Sequence, residues 1–197
     1  MADQESAPGG AGAPAAPERK LPQGGAGAPA APERKPPQGE VGAPASSPRR
    51  YALVVGRFYE ELAERLVDGA REALAEAGVD EVDVFDVPGA FELPLGAFYA
   101  VAAGRYEGVV CLGAVIRGET SHYDHVCAEA ARGIQDVQLR TGVPCGFGLL
   151  TVESVDQALA RLGDKRHQGR DAAQAVLRMA ELRVELGGPP KPSGVEL

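Results

Sequence analysis

The sequence predicts a three-layer αβα domain: a doubly wound, four-stranded parallel sheet between helices, preceded by a disordered tail. Three observations carry this expectation. From Tyr51 onward, short apolar runs alternate with stretches of helical periodicity, the pattern of a parallel sheet covered on both faces. Gly or Pro closes most of these segments, as chain reversals require. Residues 1–50 show no apolar periodicity and are dominated by Gly, Ala and Pro.

The tail contains a direct repeat. Gly9 to Lys20 (GGAGAPAAPERK) returns as Gly24 to Lys35, and Gly42-Ala43-Pro44-Ala45 with Pro48-Arg49-Arg50 resembles a decayed third copy. A solenoid repeat must bury an apolar face, and these units have almost none, so the tail is expected to be disordered and partly polyproline.

Each element of the domain then follows in order. Tyr51 to Val55 is an apolar run ended by Gly56, as expected of a buried parallel strand. Leu62, Leu66, Ala70 and Leu74 recur at helical spacing, and Gly78 supplies a C-terminal cap. Val82 to Val87 alternates and stops at Pro88-Gly89, which reads as the second strand. Phe91 to Ala103 is a short helix able to start at Pro94 and closed by Gly104. Gly108 to Ile116 is the most apolar strand and belongs near the sheet centre. Thr120 to Arg140 is a long helix ended by Thr141-Gly142. Pro144 to Leu150 is the fourth strand, and Thr151 to Leu162 a helix capped by Ser154 or Thr151. A loop from Gly163 to Gly169 leads to a last helix reaching about Leu186. The domain is thus expected over 51–186, with 187–197 a frayed C-terminus.

Composition narrows the function classes. The chain of 197 residues has 44% hydrophobic content, enough for one core, and no Trp. No window approaches the about 18 to 20 apolar residues that span a bilayer, so no membrane association is expected. The start, Met1 to Glu5, has neither the basic nor the apolar part of a secretory signal. Cys111, Cys127 and Cys145 form no CxxC pair, which points to reduced thiols in the cytoplasm. The formal charge of −8 disfavours nucleic acid as a partner. The tail is nearly neutral, so the acidity lies in the domain.

In doubly wound sheets, ligands bind outside the carboxyl ends of the strands. Four loops fall there: Arg57-Phe58, Gly89-Ala90-Phe91-Glu92, Arg117 to His125, and Thr151. The third is the richest. A strand that stops at Gly118 and becomes a helix at Thr120 directs free backbone N–H groups at one spot, which suits an anion. A cation, a carboxylate and an imidazole (Arg117, Glu119, His122) stand beside it. Plainer readings exist for each residue alone: Phe58 as a packing residue over the next helix, Glu92 as a helix cap, Arg161 as a complement to a helix dipole. His122 and His125 lie three apart and resemble half a metal site, but no third ligand has suitable spacing, so no metal is expected. No Gly-rich nucleotide motif is present.

Taken together, Val87 to Pro94 (VPGAFELP), Leu112 to Asp124 (LGAVIRGETSHYD), Gly142-Val143-Pro144 through Phe147-Gly148-Leu149-Leu150-Thr151, and Gln157 to Arg161 (QALAR) resemble the 6,7-dimethyl-8-ribityllumazine synthase family. The resemblance covers about Tyr51 to Leu186 and leaves the tail without a counterpart. It implies a flavodoxin-like fold and an enzyme of riboflavin biosynthesis. That enzyme condenses 5-amino-6-(D-ribitylamino)uracil with 3,4-dihydroxy-2-butanone 4-phosphate, releasing phosphate and water, without metal or organic cofactor. By motif, Phe58 would stack on the uracil, Ala90, Phe91 and Glu92 would hold the ribityl chain, and Ala114, Val115 and Ile116 would contact the pyrimidine. Phe147 would line the aromatic substrate's site. Glu119, Thr120 and Arg161 would hold the phosphate, and His122 would transfer protons. The resemblance further implies a homo-oligomer, a pentamer or a multiple of it, with active sites between subunits. A non-catalytic cage-forming scaffold and a flavin-binding paralogue of the same fold are the alternatives.

The chain departs from the family pattern at three places. Tyr59 stands where Asn is frequent. Glu119 puts a carboxylate beside the phosphate, leaving its backbone N–H as the useful group. Gly163 to Gly169 (GDKRHQG) is a residue shorter than the usual loop and lacks its Asn-Lys pair, for which Lys165, Arg166 or His167 would have to substitute.

Overall fold

The computed structural model describes residues 49–79, 81–163 and 165–188. The expected disordered tail lies outside these residues except for its last two, and most of the segment 187–197 lies outside them too. Four parallel strands form the sheet: β1 (Arg50–Gly56), β2 (Glu81–Val87), β3 (Gly108–Ile116) and β4 (Cys145–Val152), in the order β2-β1-β3-β4. β1 pairs with β2 from Arg50↔Glu81 to Gly56↔Val87, and with β3 from Tyr51↔Gly108 to Val55↔Leu112. β3 pairs with β4 from Val109↔Cys145 to Ile116↔Val152. The expected doubly wound αβα domain is the one observed, with the apolar β3 in an interior position.

Period-two alternation divides the strands between two cores. Tyr51, Leu53, Val55, Val110 and Leu112 face α1 (Glu60–Glu76) and α5 (Gln168–Glu185). Ala52, Val54, Val109 and Cys111 face α2 (Leu93–Ala102) and α3 (His122–Thr141). Both faces of β1 and β3 are therefore dry, which is why they read as unbroken apolar runs. Burying one such aliphatic side chain contributes about 1.5–3 kcal/mol. Among the described residues, no polar or charged side chain is fully buried.

Glycines with positive φ end α1 (Gly78, 68°), α2 (Gly104, 71°) and α3 (Gly142, 68°), as the spacing predicts. Four boundaries differ from expectation. α3 starts at His122, two residues late, because residues 119–121 form a turn in which Thr120 Oγ1 accepts the His122 N–H at 3.4 Å. β4 continues through Thr151 to Val152 because β3 offers partners as far as Ile116, so Thr151 is a strand residue and caps nothing. The following helix, α4, spans only Val155–Leu159, with Ser154 as its cap: Ser154 Oγ accepts the Gln157 N–H at 3.3 Å. Leu162 leaves that helix to enter a two-stranded antiparallel hairpin, β5 (Leu162–Gly163) with β6 (Arg166–His167), where a plain loop was expected.

α5 lies close against α1, because a Cβ at Gly169 would overlap the Leu66 carbonyl group. Gly169→Ala is expected to force the helices apart and cost about 1–3 kcal/mol, lowering the urea midpoint at fixed protein concentration. An unchanged midpoint would contradict the contact. Burial pushes the Cys145 thiol up to about 12 and the Cys111 thiol well above its ordinary range. Native protein at pH 8 should therefore react through Cys127 alone with a thiol reagent, and through three thiols once denatured. Rapid native labelling of two or more would mean that the β3–β4 core is open.

Candidate active site at the carboxyl ends of the strands

The loops that follow β1, β2 and β3 enclose a cleft of about 680 Å³. It is lined by Phe58 and Tyr59 from the first, Pro88 to Glu92 from the second, and Ala114 to Ile116, Gly118 and Thr120 from the third, with His122, Tyr123, His125 and Val126 from α3. Three of the four loops expected at this rim thus meet. The fourth does not, because Thr151 remains inside β4.

The first loop is held by its arginine. The Arg57 N–H donates to the Val87 carbonyl at 3.0 Å, its Nε donates to Asp86 at 2.7 Å, and its Nη1 donates to Glu60 at 3.1 Å. That hold leaves Phe58 projecting, 74% exposed, with the Tyr59 ring edge-on at 5.0 Å between centroids. An aromatic side chain so exposed, and steadied on one edge, offers its face to a flat ligand. The second loop passes close to the first: a Cβ at Gly56 would stand 3.1 Å from the Gly89 carbonyl carbon. It continues as a 3-10 turn, Ala90–Glu92, in which Ala90 is buried and Phe91 is exposed. Ala114, Val115 and Ile116 form an apolar wall where β3 emerges from the sheet.

His122, at the first position of α3, is exposed and faces the cleft, and Thr120 lies beside it. His125 lines the same cleft, together with Val126. By sequence it is only the second half of a His pair without a third ligand, yet 122, 125 and 126 share one helical face by the i, i+3, i+4 rule, and that spacing is the signal that locates it. Tyr59 and Tyr123 are further lining residues to which the motif assigns no role. Among the described residues, no group of three or more His, Cys, Asp or Glu is arranged to hold a metal ion.

Arg117 is not a lining residue. Its Nη1 and Nη2 donate to Asp124 at 3.2 and 2.8 Å, its Nε pairs with Glu153 at 2.8 Å, and its guanidinium lies 4.0 Å from the Tyr123 ring centroid. Hydrogen bonding to the two carboxylates raises the Arg117 pKa, and the guanidinium holds the Asp124 carboxyl below its ordinary range. The cation expected beside the anion spot is thus committed to protein partners. All three groups are solvent-exposed, where screening leaves such pairs little net stabilising effect.

Three sequence-predicted site residues lie outside the cleft lining. Glu119 is exposed in the turn before α3. Phe147 is partly exposed on β4, an edge strand of the sheet. Arg161 follows α4, and its Nη1 donates to the Gln157 carbonyl at 3.1 Å. Among the described residues it has no carboxylate partner. Gln168 links these last two: its backbone N–H donates to the Arg161 carbonyl at 2.9 Å, and its Nε2 donates to the Phe147 carbonyl at 3.1 Å. In the hairpin, Lys165 and Arg166 are exposed, whereas the His167 ring packs against Gly69 of α1.

A sequence model of the family described as 6,7-dimethyl-8-ribityllumazine synthase matches residues 48–184. A relative from Salinibacter ruber that carries that same name is 49% identical over 142 residues, covering 71% of this chain and 91% of the relative.

Proposed function

The chain belongs to the 6,7-dimethyl-8-ribityllumazine synthase family, and from that premise we propose how its residues divide the work of the reaction. The reaction is the condensation of 5-amino-6-(D-ribitylamino)uracil with 3,4-dihydroxy-2-butanone 4-phosphate, giving 6,7-dimethyl-8-ribityllumazine, phosphate and water, in riboflavin biosynthesis. The observation that best supports the division is the cleft itself. It gathers an exposed aromatic face, an apolar wall, a 3-10 turn and an imidazole within one volume of about 680 Å³.

Phe58 stacks on the uracil ring, and Ala114, Val115 and Ile116 bound its edge. Ala90, Phe91 and Glu92 hold the ribityl chain, whose hydroxyls suit the Glu92 carboxylate and the backbone of the turn. An aryl amine attacks the ketone, an imine forms with loss of water, phosphate leaves, and the ring closes with loss of a second water. Each step moves a proton, and we give that transfer to His122, one of the two imidazoles that line the cleft. The leaving phosphate is held by Thr120, by the backbone N–H of Glu119 and by Arg161. Among the described residues Arg161 meets no carboxylate, and its fork of donors suits a bidentate phosphate contact. Holding two substrates together supplies much of the remaining acceleration.

Phe147 and Arg161 belong to this chemistry but lie outside the cleft lining of their own chain. We therefore assign the site to two copies: the cleft of one and the Phe147–Arg161 edge of its neighbour, repeated around a pentamer or a multiple of it. Three free cysteines suit a reducing compartment, and we place the enzyme in the cytoplasm.

His122→Ala is expected to lower kcat by about 10²–10⁴-fold with the assembly's native mass unchanged. Product formation is followed by lumazine absorbance alongside phosphate release, and a rate equal to the parent's would remove His122 from the mechanism. Arg161→Ala is expected to raise KM for the butanone phosphate by about 10-fold or more, the loss of a charge-assisted bond. An unchanged KM would place the phosphate elsewhere.

A further inference from the structure

Between β3 and His122, the chain passes through Arg117, whose partners converge from separate elements. Its backbone N–H donates to the Val152 carbonyl at 2.9 Å, which ties it to the end of β4. Its side chain reaches Glu153, the residue after β4, and Asp124 in the first turn of α3. The Tyr123 ring lies against the guanidinium and also lines the cleft. Arg117 therefore spans from the edge of the sheet to both residues that follow His122.

Besides the clamp, the turn is held by its own backbone, the Asp124 N–H donating to the Ser121 carbonyl at 3.0 Å. The α3 N-cap, Ser121, makes no side-chain capping bond, and Thr120 Oγ1 reaches the His122 N–H only at a long 3.4 Å. A planar guanidinium holding two carboxylates fixes direction as well as distance, which an ammonium cannot do. Three of the five guanidinium N–H donors are engaged, two carboxylates already answer its charge and one face lies against Tyr123, which leaves Arg117 less to offer a phosphate. Because the pairs are exposed, their effect is on geometry more than on folding stability.

We infer that the Asp124–Arg117–Glu153 clamp, with Tyr123 stacked on it, positions the first turn of α3 and thereby aims the His122 imidazole into the cleft. Arg117 is a positioning residue for the condensation and not a ligand of the phosphate. The inference rests on the proposed role of His122 in that reaction.

The test compares Arg117→Met, Arg117→Lys and Glu153→Gln with the parent. Arg132→Met serves as a control, since Arg132 pairs with Glu129 and Asp136 along the outer surface of α3. The clamp predicts that Arg117→Met lowers kcat about 10- to 100-fold, as a catalytic group misplaced by about 1 Å would. KM for the butanone phosphate should rise less than kcat falls, because Arg161 still holds the phosphate while the turn that carries Glu119 and Thr120 loosens. Arg117→Lys and Glu153→Gln should fall between Arg117→Met and the parent, and Arg132→Met should match the parent. Equal kcat for Arg117→Met and parent would overturn the inference. So would a KM that rises as much as kcat falls, which would make Arg117 a phosphate ligand. Should Arg117→Met fail to fold, the nearly isosteric Glu153→Gln decides by the same criteria. Histidine ring signals in the NMR spectrum, with His122 assigned from His122→Ala, provide a readout independent of turnover. They should shift for His122 and stay in place for His167, and an unmoved His122 signal sinks the clamp. A parent that makes no product would overturn the reaction assignment, while these spectra would still decide the clamp.

Discussion

The parallel pairing of β1 with β2 on one side and β3 on the other is the constraint on which the rest depends. Because the three strands run in one direction, their carboxyl ends share one rim, and the loops that leave them must meet there. The register also assigns the side chains. Leu53 and Val55 go to one core and Ala52 and Val54 to the other, and a slip of one residue would exchange the two sets. Gly56 and Gly89 then let the first two loops approach closely enough to share a cleft.

Three arginines at or near this rim divide by what already holds them. Arg57 is engaged by Asp86 and Glu60, and it fixes the loop from which Phe58 projects. Arg117 is engaged by Asp124 and Glu153 and anchors the turn that carries His122. Arg161 donates to a backbone carbonyl and has no carboxylate partner among the described residues. A guanidinium already paired with carboxylates is poorly placed to accept a dianion, whereas one without such a pair offers its full charge. The proposed roles, two structural and one toward substrate, follow from that difference.

The fold was largely legible because its signals are local and repeated. Apolar runs such as Tyr51 to Val55 mark strands, Leu62-Leu66-Ala70-Leu74 marks a helix, and Gly78, Gly104 and Gly142 mark helix ends. Errors arose where a tertiary partner overrode local chemistry. Thr151 has a capping side chain but is drawn into β4 by β3, and Leu162 continues a helical pattern but pairs with His167. For the site, Phe58, Ala90 to Glu92, Ala114 to Ile116, Thr120 and His122 fall together as the motif order suggested. Tyr59, Tyr123 and His125 carry no assigned site role by sequence, because their proximity to the cleft depends on side-chain direction. The commitment of Arg117 was illegible for a similar reason, since Glu153 comes from another strand end and only the fold brings it near.

Phe147 and Arg161 stand apart from that cleft, joined to each other through Gln168. We propose that this edge completes the cleft of a neighbouring copy. Co-expressing the His122→Ala and Arg161→Ala chains tests it most directly, with turnover measured at limiting butanone phosphate. In mixed rings assembled at random, about one quarter of the interfaces would unite an intact cleft with an intact edge. The account therefore predicts activity near a quarter of the parent's, well above either variant alone. Activity no greater than the mean of the two separate variants would contradict it.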